Sequence, residues 1–222
     1  MTPLLGLSFS DWLSEYRDQV VSYTEDHALL SIYVIVAATV LGVLIAIVTY
    51  RHQTLASMAT SITAVGFTLP SVALFAILYS LFGTSLWGVV FPPLVLYALL
   101  PLLRNSIVGL QNVDADILDA ARGMGMGRFR MLWQIELPMA WPVILAGIRI
   151  SAQLTVGIVA IAAFAYPVGL GQYAYDALAN LGSANRGNEA IACVICAVVI
   201  ALVFDLALAL IRILTTPRGL RA

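Results

Sequence analysis

Residues 29–50 carry no charged side chain, and as a helix this run is about 33 Å long, enough to cross a hydrocarbon core of roughly 30 Å. Further apolar runs cover about 62–82, 86–103, 137–166 and 190–214. Of 222 residues, 61% are hydrophobic and 10% charged, against roughly 25% charged in a soluble domain. The 11 basic and 12 acidic side chains are too few to coat a soluble core of this size. The expectation is an all-α integral membrane protein of about five transmembrane helices.

Small residues and prolines predict which runs face protein. Ala38, Gly42 and Ala46 recur every fourth residue, the spacing that lets helix backbones approach closely in lipid. Pro70 in the second run and Pro92, Pro93 and Pro101 in the third remove backbone donors. That is tolerable in a bilayer only where neighbours or water satisfy the freed carbonyls. The fourth run is long for one straight span, and Pro167, Gly169 and Gly171 predict a broken or re-entrant ending, with Tyr166, Tyr173 and Tyr175 at interface depth.

Residues 1–27 mix Asp11, Glu15, Asp18, Glu25 and Asp26 with Trp12, Leu13 and Tyr16. They read as an amphipathic segment lying on the outer surface, and they lack the basic and apolar regions of a signal peptide. Residues 28–222 form the transmembrane domain. Arg51, Arg104, Arg122, Arg128, Arg130, Arg212, Arg218 and Arg221 fall on one side of a five-span arrangement, and Arg17 and Arg186 on the other. Cytoplasmic loops are enriched in basic residues, so the N-terminus is expected outside and the C-terminus inside a bacterial plasma membrane.

Several chemistries lack their residues. All 11 basic residues are arginine, so a P-loop lysine or a Schiff-base lysine is absent. Cys193 and Cys196 sit inside an apolar run and read as packing, and two thiols with two distant histidines complete no zinc site. His27 and His52 fall at opposite ends of the first span, which leaves no positioned base for a nucleophilic hydroxyl. The chain is expected to be no enzyme, to bind no metal or cofactor itself, and to have no nucleic-acid partner.

The polar stretch at about 104–136, between the third and fourth spans, is the candidate functional segment. Asp114 and Asp116 are capping residues for a first short helix ending near Arg122, and Gly123, Gly125 and Gly127 make a turn. Arg128 opens a second helix to which Phe129, Leu132, Trp133 and Ile135 give an apolar side, suited to a partner's groove. Lying on the membrane surface is the alternative for such a helix. Arg149 and Asp205 are the deepest charges in the apolar runs and of opposite sign. A lone charge there costs about 2.5 to 3.5 kcal/mol, so they are expected to pair across the fourth and fifth spans. Arg149 capping broken-helix carbonyls, or Asp205 pairing with Arg212, are the alternatives.

The loop resembles the EAA signature of binding-protein-dependent ABC importer permeases: Glu-Ala-Ala, three residues, Gly, nine residues, then Ile-x-Leu-Pro. Asp119, Ala120, Ala121, Gly125, Ile135, Leu137 and Pro138 occupy the pattern, with Asp119 in place of Glu. The likeness extends through Thr68-Leu-Pro-Ser71, Pro142-Val-Ile-Leu-Ala-Gly-Ile-Arg149 and Gly169-Leu-Gly171, and its wording is similar to the glycine betaine, carnitine and choline osmoprotectant subfamily. This resemblance implies a permease subunit that takes substrate from an extracytoplasmic binding protein. It also implies cytoplasmic ATPase subunits that hold ATP and Mg, a second permease subunit, identical or not, and a setting of membrane lipids. The pathway would run between the two permeases, lined by Pro70, Ser71 and a stripe of Ala146, Arg149, Gln153, Gly157 and Ala160, for which helix packing is the competing account. Another small solute, such as an amino acid, or an ion-coupled secondary transporter are the alternative functions.

Overall fold

The computed structural model describes residues 7–83, 85–180 and 182–215, and among them every regular element is helical. In chain order these are α1 (Phe9–Glu15), α2 (Arg17–Thr49), α3 (Gln53–Thr68), α4 (Ser71–Phe82), α5 (Phe91–Gln111), α6 (Ala115–Gly123), α7 (Arg128–Met131), α8 (Leu137–Ala162), α9 (Gly171–Ala179) and α10 (Arg186–Thr215). Two π-helical turns, Leu86–Val90 and Leu132–Glu136, run directly into α5 and α8. The helices over Arg17–Thr49, Leu86–Gln111, Arg128–Ala162 and Arg186–Thr215 are long and apolar enough to cross a membrane, and α3 with α4 makes a fifth candidate bent by 88°. The bend falls at Leu69 and Pro70. Proline cannot donate to a helical carbonyl and pushes the residue before it out of the α region, so α3 ends there.

The segment read as a surface helix before the first span is built differently. Residues 17–28 contain no glycine or proline, so nothing stops the helix, and α2 continues backward from the apolar run to Arg17. Its 33 residues make it about 50 Å long. Only α1 stands apart, closed at Tyr16. α5 likewise runs on to Gln111, so Arg104 to Gln111 are helical rather than loop. Arg218 and Arg221, used above for orientation, lie outside the described residues.

The chain divides into two compact units. The first contains the chain up to Val34, Leu69–Val95 and Ala152–Phe204. Its core is Trp12, Val20, Val156, Leu170, Tyr173, Ala192, Cys193 and Ile200. Trp12 stacks between Phe9 and Tyr16 and meets Tyr173 edge-on at 5.5 Å. The amphipathic segment is therefore anchored by its tryptophan in a protein core. His27, expected near a loop, is fully buried inside α2, where its Nε2 donates to the Val156 carbonyl at 3.0 Å. Gly169, at φ +62°, rests on it, since a Cβ there would lie 2.9 Å from His27 Cβ. Both cysteines are free, and Cys193 is buried.

The second unit contains Ile35–Thr68, Leu96–Ser151 and the chain from Asp205. Ala46, Tyr50, Leu102, Leu103, Ile107, Leu132, Ile144 and Ile148 are among its core residues. Ala38 and Ala46 are fully buried, and a Cβ on Gly42 between them would come within 2.3 Å of Leu102 Cδ2. The small residues thus set the α2–α5 approach, as their spacing predicts. Pro101 withholds a donor from the preceding turn of α5, and the Ser151 hydroxyl donates to the Ala98 carbonyl in that turn at 2.7 Å.

Gly171 is the tightest of these contacts, because an added Cβ would sit 2.1 Å from the Ala160 carbonyl oxygen, which is backbone and cannot swing away. Gly171→Ala is expected to destabilise the protein by about 1 to 3 kcal/mol. Gly157→Ala, with nothing within 4 Å of the added atom, should stay within about 0.5 kcal/mol of the parent. Thermal unfolding of the two variants in detergent measures the contrast.

Candidate functional site

The loop after α5 begins with a cap: the Asp114 carboxylate accepts the Asp116 N–H at 2.9 Å and starts α6. Ala121 turns inward and is buried, while Ala120 and Asp119 face out. Asp119 accepts from Arg122 Nη1 at 2.6 Å, one helical turn along the same exposed face. An exposed pair of this kind holds the side chains in place but adds little stability. Gly125 closes α6 at φ +78°, its N–H reaching the Arg122 carbonyl at 2.9 Å while the Met126 N–H reaches Ala121 at 3.0 Å. A Cβ on Gly125 would meet nothing within 4 Å, so within this chain glycine is required by the dihedral rather than by space. Gly123 and Gly127 are equally open, and Gly127 caps α7 in an extended conformation.

The apolar residues of α7 and the π turn fall on two faces, not on the single side read from the sequence. Met131 and Leu132 are buried, with Leu132 in the core of the second unit. Phe129 and Trp133 are 75% and 56% exposed, and their rings lie 6.2 Å apart. Arg128 and Arg130 flank them on the exposed side, and Arg130 Nε donates to Gln134 Oε1 at 2.9 Å. Ile135 and Leu137 are half-buried and Pro138 is exposed. Two exposed aromatic rings beside cationic side chains belong to the surface of this chain and not to its core.

Glu136 is a buried carboxylate that sequence reasoning did not single out. It is 3% exposed. The Tyr50 hydroxyl donates to its Oε2 at 2.5 Å, and Arg51 Nη2 reaches Oε1 at 3.3 Å and Oε2 at 3.1 Å. Arg51 Nε also donates to the Tyr50 hydroxyl at 2.5 Å, and Gln111 Nε2 donates to the Tyr50 carbonyl at 2.9 Å. Burial and the bond to Glu136 push the Tyr50 phenol up to about 12, against the pull of Arg51. It therefore stays a proton donor at physiological pH. Burial opposes the Arg51 charge, but its bonds to Tyr50 and Glu136 outweigh that and raise its pKa. The network walls one side of a cavity of about 530 Å³ that Arg122 and Arg128 also line.

Arg149 and Asp205 meet, with Arg149 Nη2 donating to Asp205 Oδ2 at 2.7 Å and Nε bonded to Oδ1. The two-pronged geometry suits a guanidinium and a carboxylate. The side chains are 48% and 23% exposed. Ala146, Gln153 and Gly157 lie exposed along α8 and Ala160 is half-buried, while Pro70 is exposed and Ser71 half-buried at the start of α4. None of these is brought into the network around Glu136.

Membrane-length helices interrupted by an exposed, aromatic-bearing helical loop are what the geometry presents. The chain belongs to the family of binding-protein-dependent transport system inner membrane components, which matches residues 38–212. It is a multi-pass membrane transport subunit and not an enzyme, and in this family the ATPase is a separate subunit. It is 34% identical to the osmoprotectant import permease protein OsmW of Salmonella typhimurium, over 91% of this chain and 94% of that protein. It is 33% identical to the choline transport system permease protein OpuBD of Bacillus subtilis, over 81% of this chain and 79% of that protein. Among solved structures, an inward-facing MetNI methionine ABC transporter aligns with a TM-score of 0.70 at 18% identity, covering 86% of this chain and 94% of that one. At that identity the likeness is one of fold.

The contact between Arg149 and Asp205 yields a stability prediction. Arg149→Gln or Asp205→Asn alone breaks the two-pronged contact and keeps the other charge of the pair in an apolar span, which is costly. The double variant removes both charges. Each single variant is therefore expected to unfold several degrees below the double variant in a detergent thermal ramp, and equal midpoints for all three would mean the pair does not stabilise the fold.

Proposed function

We propose that this chain is the permease subunit of an ATP-driven importer for a quaternary-amine osmoprotectant: glycine betaine, choline, carnitine or proline betaine. The observation that carries the reading is the likeness to OsmW along nearly the whole of both chains, joined by the relative named for choline transport. The N-terminus lies outside and the C-terminus inside, which puts the loop between α5 and α8 in the cytoplasm. There Asp119, Gly125 and the exposed Phe129 and Trp133 dock in a groove of the ATPase, which holds ATP and Mg. A binding protein delivers substrate to the opposite face. The pathway forms between two permease subunits along Pro70, Ser71, Gln153 and Gly157. ATP-driven closure of the ATPase pair displaces the docked loop and turns the permeases outward, and hydrolysis returns them. Such a cycle requires one two-state element biased by both ATP and substrate.

Uptake into proteoliposomes containing the permease, its ATPase and its binding protein tests the substrate class. Labelled glycine betaine, choline or carnitine should accumulate only with ATP inside the compartment where the ATPase resides. Transport of none of them, with uptake of an amino acid instead, would replace the substrate assignment.

The docking assignment makes a sharper demand. Gly125→Val forces a β-branched residue to φ +78°, a strain of about 1 to 2 kcal/mol for an L-residue, in a loop otherwise open around it. Membrane insertion is expected to be unchanged while ATPase co-purification and uptake are lost, and Gly127→Ala, which adds a methyl at an ordinary dihedral, should retain both. Undiminished uptake in Gly125→Val would remove the loop from the docking surface.

A further inference from the structure

We propose that Tyr50, Arg51 and Glu136 are positioning residues: they clamp the coupling helix, formed by α7 and the π turn Leu132–Glu136, to the end of α2, so that the two move as one body during the transport cycle. The inference rests on the reading of the loop as the ATPase dock.

Three chain segments converge on the clamp. Tyr50 and Arg51 follow the last turn of α2, Gln111 is the last residue of α5, and Glu136 closes the π turn that leads into α8. Arg51 Nη2 spans the coupling helix, with a 3.1 Å bond to Glu136 at its end and a longer 3.5 Å contact to the Arg128 carbonyl at its start. The residues between these two points include Phe129 and Trp133, the aromatic pair turned outward. A partner that seats on those rings therefore pushes on a helix tied at its far end to α2.

The π turn is what makes this possible. In an uninterrupted α-helix Phe129, Trp133 and Glu136 are spaced i, i+4, i+7 and share one face. Glu136 would then point out beside the aromatics. The wide turn over Leu132–Glu136 inserts roughly one residue's worth of rotation, about 100°, and carries Glu136 off the face of the aromatics to that of Met131 and Leu132, where it is buried. A chain selected for stability alone would place an apolar residue at this core position, since replacing a buried ion pair by well-packed hydrophobes is often neutral or stabilising. What the carboxylate adds is direction: bonds of fixed geometry to two named donors, a link that does not slide as packed apolar surfaces do.

Two measurements on the assembled transporter test the clamp. Spin labels at Val48, on the last turn of α2, and Gln134, on the π turn, occupy exposed positions and are introduced with Cys193 and Cys196 replaced by alanine. Their separation is expected to be a single narrow distance, identical in the nucleotide-free and ATP-bound complex. A distance that changes with nucleotide overturns the proposal. Second, Tyr50→Phe and Glu136→Gln are expected to lower substrate taken up per ATP hydrolysed by about fivefold or more, with ATP hydrolysis retained and with the charge swap Arg51→Glu/Glu136→Arg recovering part of the ratio. A ratio equal to the parent's in Glu136→Gln overturns the clamp while leaving the importer reading intact. Uptake that proceeds without the ATPase overturns the importer reading itself. Should the substitutions prevent assembly, the label distance in the unsubstituted clamp still decides the question.

Discussion

A carboxylate removed from water imposes its needs on everything around it. Glu136 can remain where it is only because a phenol and a guanidinium reach it, and each of those requires something further. Tyr50 must sit at the turn after α2, where its carbonyl is held by Gln111 at the end of α5. Arg51 must fold back over the Tyr50 ring, its guanidinium 5.2 Å from the ring centre. The helix that carries Glu136 must pass through a π turn to aim it inward, and that same turn leaves Phe129 and Trp133 aimed outward. One buried charge thus couples the corner after the first span, the end of the third span and the π turn that follows α7.

Elsewhere the fold answers to lipid, which offers no hydrogen bonds to a stranded backbone or hydroxyl group. Thr39, Thr49, Thr60 and Thr63 each donate to the carbonyl four residues earlier in their own helix, so these hydroxyls ask nothing of the solvent. Association between apolar helices then gains little from hiding them from lipid, and close contact must supply the stability. The glycines at 42, 147 and 171 stand where a single added carbon would come within 2.8 Å of a neighbouring chain segment. α10 shows the other extreme, with only 6% of its most apolar stretch buried against half of that in α5. Its valines and leucines face outward in a pattern that only an apolar surrounding or a partner subunit can satisfy.

The spans were legible in the sequence because hydrocarbon thickness sets a length that composition reveals directly. The break at Pro70 and the glycine turn at Gly125 were legible because those residues restrict or release particular dihedrals. Helix ends were less so. The sequence places a border near residue 28, where charge gives way to apolar residues, but helical hydrogen bonding is indifferent to that change, and α2 begins at Arg17. Trp12 reads as an interfacial residue because its neighbours are acidic, yet its ring is enclosed by Phe9 and Tyr16 of its own segment and by Tyr173 from a distant part of the chain. Glu136 escaped for a more specific reason. Regular periodicity assigns it to the exposed face, and a π turn leaves no mark in composition. The only signal was chemical: an acidic residue directly before Leu137-Pro138 at the mouth of a span, with Arg51 at the end of another.

Two ion pairs of the second unit, Arg51–Glu136 and Arg149–Asp205, make different use of the same chemistry. Glu136 is sealed within its own chain. Arg149 is half exposed although it lies in a span, and its face of α8 continues through Gln153 and Gly157, both uncovered by this chain. A guanidinium and an amide are costly to present to lipid, and a bare glycine there forgoes packing that any larger side chain would gain. Such a face is stable only against water or another protein surface. Asp205 then has a second role besides neutralising Arg149: by holding the guanidinium with two bonds it keeps that charge from swinging across the face. The pathway reading and the packing reading of this stripe therefore agree on one physical requirement, that water or another protein surface must cover what this chain leaves open.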